Sequence, residues 1–238
     1  IGLSVLTLNA QDLRTIEINY NGNTATVNKP EDINDVFVSI TDAKVTINSN
    51  TTSNEYCYKV SGSSNDGTLL IKGSYKLTLE LAGVSLTSTS GAAINVDCGK
   101  RIDVILDKGT NNTLIDSKMG SQKAAFYFKG HPEFKGGGTL NVTGNSAHAI
   151  SAKEYLALKS STGTINILGA VKDGIHCGNG TADPEKNYFQ MDGGTVNIKN
   201  VGGDAIDSDD FGVMFINDGE IRETLAWAET KKNDKEYL

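Results

Sequence analysis

Three segments share one pattern: Gly138-Thr139-Leu140-Asn141-Val142, Gly163-Thr164-Ile165-Asn166-Ile167 and Gly194-Thr195-Val196-Asn197-Ile198. Each is followed by a second short segment with an isoleucine, at Ile150, Ile175 or Ile206, and the step from threonine to isoleucine is 11 residues in all three. A constant spacing inside a repeat, with insertions of variable length elsewhere, is typical of strands that stack in register. The pattern therefore predicts an all-β chain folded as a parallel β solenoid.

Period-two alternation divides the residues of each repeat between two faces. We expect Leu140, Ile165 and Val196 to form one inward column of the core, with Ile150, Ile175 and Ile206 as a second. The polar residues of the repeat should form outward ladders, and these are Thr139, Thr164, Thr195, Asn141, Asn166 and Asn197.

The remainder of the chain divides into four predicted parts. Residues 1–10 are mostly apolar and read as the remnant of a signal peptide, with a first β-strand as the alternative. Residues 11–74 alternate as strands that would cap the stack, because an uncapped sheet edge invites aggregation. Residues 75–222 would form the coils. Residues 223–238 would be a C-terminal extension, and its lack of a stop signal is consistent with a truncated chain.

Composition and charge narrow the possible partners. The 238 residues include 26 glycines and 3 prolines, and the formal net charge is −7. All of that net charge comes from residues 171–238, since residues 1–170 carry equal numbers of acids and bases. Without a basic stripe, nucleic acid is not an expected partner, and no segment approaches the roughly 20 apolar residues of a membrane-spanning helix. We expect a monomer.

Acidic residues converge at one corner of the predicted repeat. Asp173 and Asp204 fall in one column, and parallel strands lie about 4.8 Å apart, so these carboxylates would repel each other unless neutralised. Calcium, which takes several oxygen ligands, would do so at a site made of Asp173, Asp204, Asp207 and Asp209. A solvated acidic corner, with Lys172 pairing one carboxylate, is the alternative.

Residues 75–210 resemble a family of secreted carbohydrate-binding β-helix proteins, best known from clostridial cellulose and pectin binders and related in fold to polysaccharide lyases. The most specific stretches are Ala82-Gly83-Val84-Ser85-Leu86, residues 105–116, Asp173-Gly174-Ile175-His176 and Gly203-Asp204-Ala205-Ile206-Asp207. The resemblance implies a right-handed parallel β-helix, calcium sites at coil corners, and binding of cellulose or pectin. The chain departs from the family where His148-Ala149 stands in place of Asp-Gly.

Together these features predict a calcium-assisted bacterial protein, secreted or held at the cell surface or in the periplasm, that binds plant cell-wall polysaccharide without cleaving it. The outward threonine and asparagine ladders are the candidate binding residues. Tyr155 and Tyr188 join them, because aromatic rings can stack on sugars, although both could instead pack within the coils.

Two other functions remain open. A calcium-dependent, pectate-lyase-like enzyme would need a basic side chain to remove a proton, and Lys153, Lys172 and Lys199 are the candidates within the repeats. A structural or adhesive cell-surface protein would need no glycan ligand. His131, His148 and His176 show no metal-ligand spacing in the sequence, which favours packing or ladder roles for them.

Overall fold

The computed structural model describes residues 13–178, 183, 185–210 and 212–224. The predicted signal-peptide remnant, residues 1–10, lies outside the described residues. Residues 225–238 of the predicted C-terminal extension also lie outside them. Residues 223 and 224 belong to the last described strand. In the described ranges, no helix has the length and apolar character needed to cross a membrane.

The described residues form strands in two sheets. The twelve-stranded sheet contains β1 (Thr15–Asn21), β2 (Thr24–Asn28), β5 (Cys57–Ser64), β7 (Leu77–Thr87), β9 (Arg101–Leu106), β10 (Asn111–Ile115), β12 (His131–Lys135), β13 (Thr139–Gly144), β15 (Leu156–Leu158), β16 (Thr164–Ala170), β18 (Tyr188–Lys199) and β20 (Val213–Thr224). The eight-stranded sheet contains β3 (Val36–Thr41), β4 (Lys44–Ser49), β6 (Thr68–Gly73), β8 (Ile94–Asp97), β11 (Ala124–Phe128), β14 (His148–Ala152), β17 (Ile175–Cys177) and β19 (Ile206–Asp207).

The pairing of the strands corrects the predicted fold. The all-β class is confirmed, but the right-handed parallel β-helix is wrong. Within the twelve-stranded sheet, eight parallel strands pair in the order β7-β10-β13-β16-β18-β15-β12-β9, and β9 pairs with β7 again, so their pairings close into a barrel-like ring. The eight-stranded sheet lies outside this ring as a second sheet. The β1–β2 and β3–β4 hairpins are antiparallel.

Two long strands are the reason that the prediction failed. β7 pairs with β9 through Leu77–Leu81 and with β10 through its C-terminal end, while β18 pairs with β15 through residues 189–191 and with β16 through residues 195–198. Each therefore joins two ladders that the repeat pattern treats as separate. A repeat spacing predicts which residues pair with their neighbours, but it does not predict that one strand will be long enough to close a ring.

Asn112 fastens the ring where β7, β10 and β13 meet. Its buried side-chain oxygen accepts hydrogen bonds from the backbone N–H groups of Gly83 and Val84, at 2.9 and 3.0 Å. Its amide nitrogen donates to the carbonyl oxygen of Thr139 and the hydroxyl of Thr110, both at 3.1 Å. The pairing of β7 with β5 shifts its register between Leu81 and Val84. The Asn112 amide accepts from the backbone N–H groups that this shift would otherwise leave unpaired inside the protein.

The predicted core columns are confirmed. Leu140 pairs with Ile165, which pairs with Val196, and all three side chains are fully buried. In the eight-stranded sheet, Ile150 pairs with Ile175, which pairs with Ile206. The rings of Phe126 and Phe128 in β11 contact the ring of Phe134 in β12, which belongs to the other sheet, with centroids 6.1 and 6.0 Å apart.

Two valines test the column directly. Val196 is fully buried, whereas Val171 is 57% exposed. Val196→Ala should lower the free energy of unfolding by about 2–3 kcal/mol, from lost apolar burial plus the cavity left behind. Val171→Ala, the same chemical change at an exposed position, should change it by less than about 0.5 kcal/mol. Urea unfolding measures both, and equal losses would contradict the placement of Val196 in the core.

Candidate functional site

A groove runs across the strands on the outer surface of the eight-stranded sheet. It consists of two adjoining clefts of about 750 and 630 Å³ that share Ser121 and Gln122. Outward-facing residues that pair from strand to strand form its floor, in the order Thr46, Leu70, Asn95, Tyr127, Ser151 and His176. At the usual strand spacing these six residues extend over about 24 Å. The groove is thus long and lies perpendicular to the strands.

The cleft of about 750 Å³, which we call the wider cleft, carries cationic and phenolic side chains. Lys123, Lys153 and Lys172 line it, together with Tyr127. Burial raises the pKa of the Tyr127 phenol, so the hydroxyl stays protonated at neutral pH and can donate a hydrogen bond. This part of the groove can therefore offer positive charge and hydrogen-bond donors to a ligand.

A histidine and carboxylate cluster lies at the end of the wider cleft. The Nδ1 of His148 and the Nδ1 of His176 lie 3.0 and 3.5 Å from one oxygen of Asp173. His176 Nδ1 also lies 3.0 Å from an oxygen of Asp207, and the two imidazole rings stack with centroids 4.4 Å apart. Gly203 packs against Asp173, and a Cβ at this position would overlap its carboxylate. The glycine therefore leaves room for the cluster.

The structure brings together three of the four predicted metal ligands. Asp173, Asp204 and Asp207 offer oxygen atoms within 4.8 Å of one another. The backbone N–H of Asp204 donates to Asp173 at 2.9 Å, and that of Asp209 donates to Asp207 at 2.8 Å. Asp209 lines the groove but does not belong to this group. Binding of calcium here stays a prediction.

The histidines are the site residues that sequence reasoning missed. His148 and His176 were assigned packing or ladder roles, because neither lies at a metal-ligand spacing along the chain. The missed signal was the register of the repeat: His148 occupies the position of Asp173 and Asp204, and His176 that of Asp207. Residues 25 to 31 positions apart in sequence therefore become neighbours through strand pairing.

Burial also shifts the titration of His148. Its side chain is only 12% exposed, and this burial, together with the nearby charge of His176, lowers its pKa from 6.5 to about 4, against the opposing effect of Asp173. The ring is therefore neutral at physiological pH. A neutral imidazole retains a nitrogen lone pair that can accept a proton or a cation.

The asparagine ladder lies on a different surface, in the twelve-stranded sheet. Asn197 donates to Asn166 at 2.8 Å, Asn166 donates to Asn141 at 2.9 Å, and Asn141 donates to Asn111 at 2.7 Å. Thr139, Thr164 and Thr195 pair beside it. The ladder matches the predicted stacking, and its amides bond to one another. A glycan role for these six residues stays a prediction.

Tyr155 and Tyr188 also stack on the twelve-stranded sheet. Their rings are nearly parallel, with centroids 4.5 Å apart, and the other face of Tyr155 stacks on His131 at 4.6 Å. The Tyr155 hydroxyl donates to Glu133 at 2.9 Å. Rings already cover both faces of Tyr155, so its edge is what remains for a ligand. Neither tyrosine lines the groove.

The three candidate lysines are also divided between the two sheets. Lys153 and Lys172 line the groove beside the cluster. Lys199 lies in β18, on the twelve-stranded sheet, and lines a smaller cleft with Asn166 and Asn197. The structure therefore places two of the three lysines together and provides the third as a matched residue outside the groove.

Comparisons with known proteins place the chain in a carbohydrate-binding family. A family model described as "Carbohydrate-binding domain-containing protein" matches residues 41–229, and the chain belongs to that family. The solved structure of the polysaccharide lyase-like protein from C. thermocellum, a gadolinium derivative, matches with a TM-score of 0.63 and 21% identity, over 87% of this chain and 99% of that chain. At this identity the likeness shows a shared fold. The search of curated proteins finds no match.

The lowered pKa of His148 predicts a pH dependence of stability in chelator-treated protein. An unfolded histidine takes up its proton near pH 6.5, and the folded one does so near pH 4, so the unfolded chain binds more protons between these values. The free energy of unfolding should therefore be fully retained above pH 6.5 and fall by about 1–3 kcal/mol as the pH decreases to 4. His148→Gln should flatten this part of a urea-unfolding series, and an unchanged slope would contradict the assignment.

Proposed function

We propose that the chain binds an anionic, pectin-type polysaccharide in the groove of the eight-stranded sheet without cleaving it. The observation that carries the proposal is the continuity of the groove across successive strands. A polymer presents the same chemical groups at regular intervals, and a surface formed by stacked strands presents side chains at regular intervals. The family to which the chain belongs supports a carbohydrate ligand.

The charges in the groove favour a uronic-acid polymer over cellulose. Lys123, Lys153 and Lys172 surround the wider cleft, and each can pair with a carboxylate of the polymer. A neutral glucan would use the hydrogen-bonding groups of the groove but leave three ammonium groups without partners. Exposed ion pairs contribute little individually, about 0.2–1 kcal/mol, so selectivity would come from several pairs along one chain.

We propose calcium as the ion bound by the oxygen-only group of Asp173, Asp204 and Asp207. Carboxylates so close together repel, and calcium accepts oxygen ligands with flexible geometry. The ion would also reduce the repulsion between a polyanion and the acidic C-terminal third of the chain. A polymer of this size is met outside the cytoplasm, which fits a secreted or cell-surface protein and a plant cell-wall glycan.

A lyase is the second candidate, and one observation favours it. Lys153 and Lys172 lie in the same cleft as Asp173, so a basic side chain and a metal-binding group would both face a bound polymer. In such an enzyme the lysine would remove the proton next to a uronate carboxylate. The geometry supports binding better, because the contacts of Lys153 and Lys172 single out neither of them as the base.

Replacing two groove lysines tests the binding proposal. Lys153→Ala with Lys172→Ala should weaken retention on polygalacturonate by roughly 2- to 30-fold, since two exposed ion pairs contribute about 0.4–2 kcal/mol together. The loss should shrink in high salt, which screens exposed charges. Lys199→Ala removes the same charge outside the groove and should leave retention unchanged. Affinity electrophoresis in polygalacturonate gels, at low and high salt, measures the retention of the wild-type chain and of both variants.

Two outcomes would contradict this account. An equal loss in the Lys199→Ala variant would place the ligand on the twelve-stranded sheet. Steady release of unsaturated oligogalacturonides by the wild-type protein, followed by their ultraviolet absorbance, would replace binding without cleavage by the lyase. We expect no such release.

Calcium binding has its own test. Calcium at a hundred times its dissociation constant should stabilise the folded chain by about 2.7 kcal/mol and raise the melting temperature. Asp204→Asn with Asp207→Asn should abolish this rise. Asp42→Asn, in the turn between β3 and β4, should keep it. An unchanged wild-type melting curve in calcium and in chelator would leave only a solvated acidic corner.

A further inference from the structure

The cluster at the end of the groove contains a second group of donors, and this group includes nitrogen. His148, Asp173 and His176 each offer one ligand atom, and these atoms lie within 4.8 Å of one another. Asp207 approaches the same group, since its oxygen lies 3.0 Å from His176 Nδ1. This group differs from the oxygen-only group in its chemistry, although the two share Asp173.

The spacing of these atoms suits a small metal ion. Zinc bonds to imidazole nitrogen at about 2.0–2.1 Å, so tetrahedral ligand atoms lie roughly 3.3–3.5 Å from one another. The two Nδ1 atoms lie 3.0 and 3.5 Å from the Asp173 oxygen. An ion could therefore bind between these groups with small movements of the side chains.

The surroundings hold the donors in place. The two imidazole rings stack on each other at 4.4 Å, which restricts their rotation. The second oxygen of Asp173 accepts the backbone N–H of Asp204, and the second oxygen of Asp207 accepts that of Asp209. Hydrogen bonds of this kind orient metal-binding carboxylates. Because His148, Asp173 and His176 all line the cleft, an ion has a path to them from solvent.

The donor types decide the class of ion. Calcium prefers oxygen ligands, whereas imidazole suits zinc, copper, nickel and iron. We propose that His148, Asp173 and His176, with Asp207 as a fourth donor, bind a divalent transition-metal ion of the zinc class. Because Asp173 belongs to both groups, zinc and calcium compete for this end of the groove. Calcium would bind to the oxygen-only group, and zinc would bind to the group that contains the histidines.

The test uses the purified chain, stripped with chelator, and zinc chloride without any polysaccharide. Calorimetry should show one tightly bound zinc ion per chain, and zinc should raise the melting temperature. His176→Gln should weaken zinc binding at least 10-fold. His131→Gln is the matched control, because His131 pairs with Glu154 on the twelve-stranded sheet, outside the cluster, and binding should stay unchanged.

A second variant separates the site from a general loss of folding. His148→Asp restores the carboxylate that the neighbouring repeats carry in this column, so it should lose zinc affinity and gain calcium affinity. The proposal is overturned if wild-type protein binds no stoichiometric zinc, if the His131→Gln variant loses zinc as well, or if His148→Asp leaves the preference unchanged. Retention of the wild-type chain on polygalacturonate is measured separately, in calcium and without added zinc, so failure of the zinc site and failure of the binding proposal can be distinguished.

Discussion

The parallel backbone ladder through β14, β17 and β19 is the constraint on which the site depends. Ile150, Ile175 and Ile206 are held in register by this ladder, and the burial of Ile150 and Ile175 makes a shift of one residue costly, because it would turn these side chains outward. The residues before and after each isoleucine are then fixed in columns. His148 must lie beside Asp173, and His176 beside Asp207, whatever the interactions between these side chains.

This constraint explains why charged groups stay close together in the folded chain. Carboxylates separated by a strand spacing repel one another, and the imidazoles lose solvent on burial. Hydrogen bonds from backbone N–H groups and the neighbouring imidazoles stabilise the carboxylates. The free energy gained by burying the core offsets the cost of holding these charged groups close together. The proposed cations would relieve this repulsion, and the cluster lies at one end of the groove.

The sequence was sufficient for the register but not for the architecture. The repeat predicted both columns of the core, and it placed Asp173, Asp204 and Asp207 at one corner. It could not predict the closed ring, because the lengths of β7 and β18 depend on pairing with strands far along the chain. The histidines were missed for a related reason: their spacing in sequence carries no metal signal, and only the alignment of repeats shows that they share columns with the aspartates.

Locating a bound oligosaccharide tests the central claim most directly. A crystal structure of the chain with a short oligogalacturonate should show sugar units above Tyr127, Ser151 and His176, with carboxylates near Lys153 and Lys172. Sugar units along Asn141, Asn166 and Asn197, with an empty groove at saturating ligand, would contradict the account and assign binding to the twelve-stranded sheet.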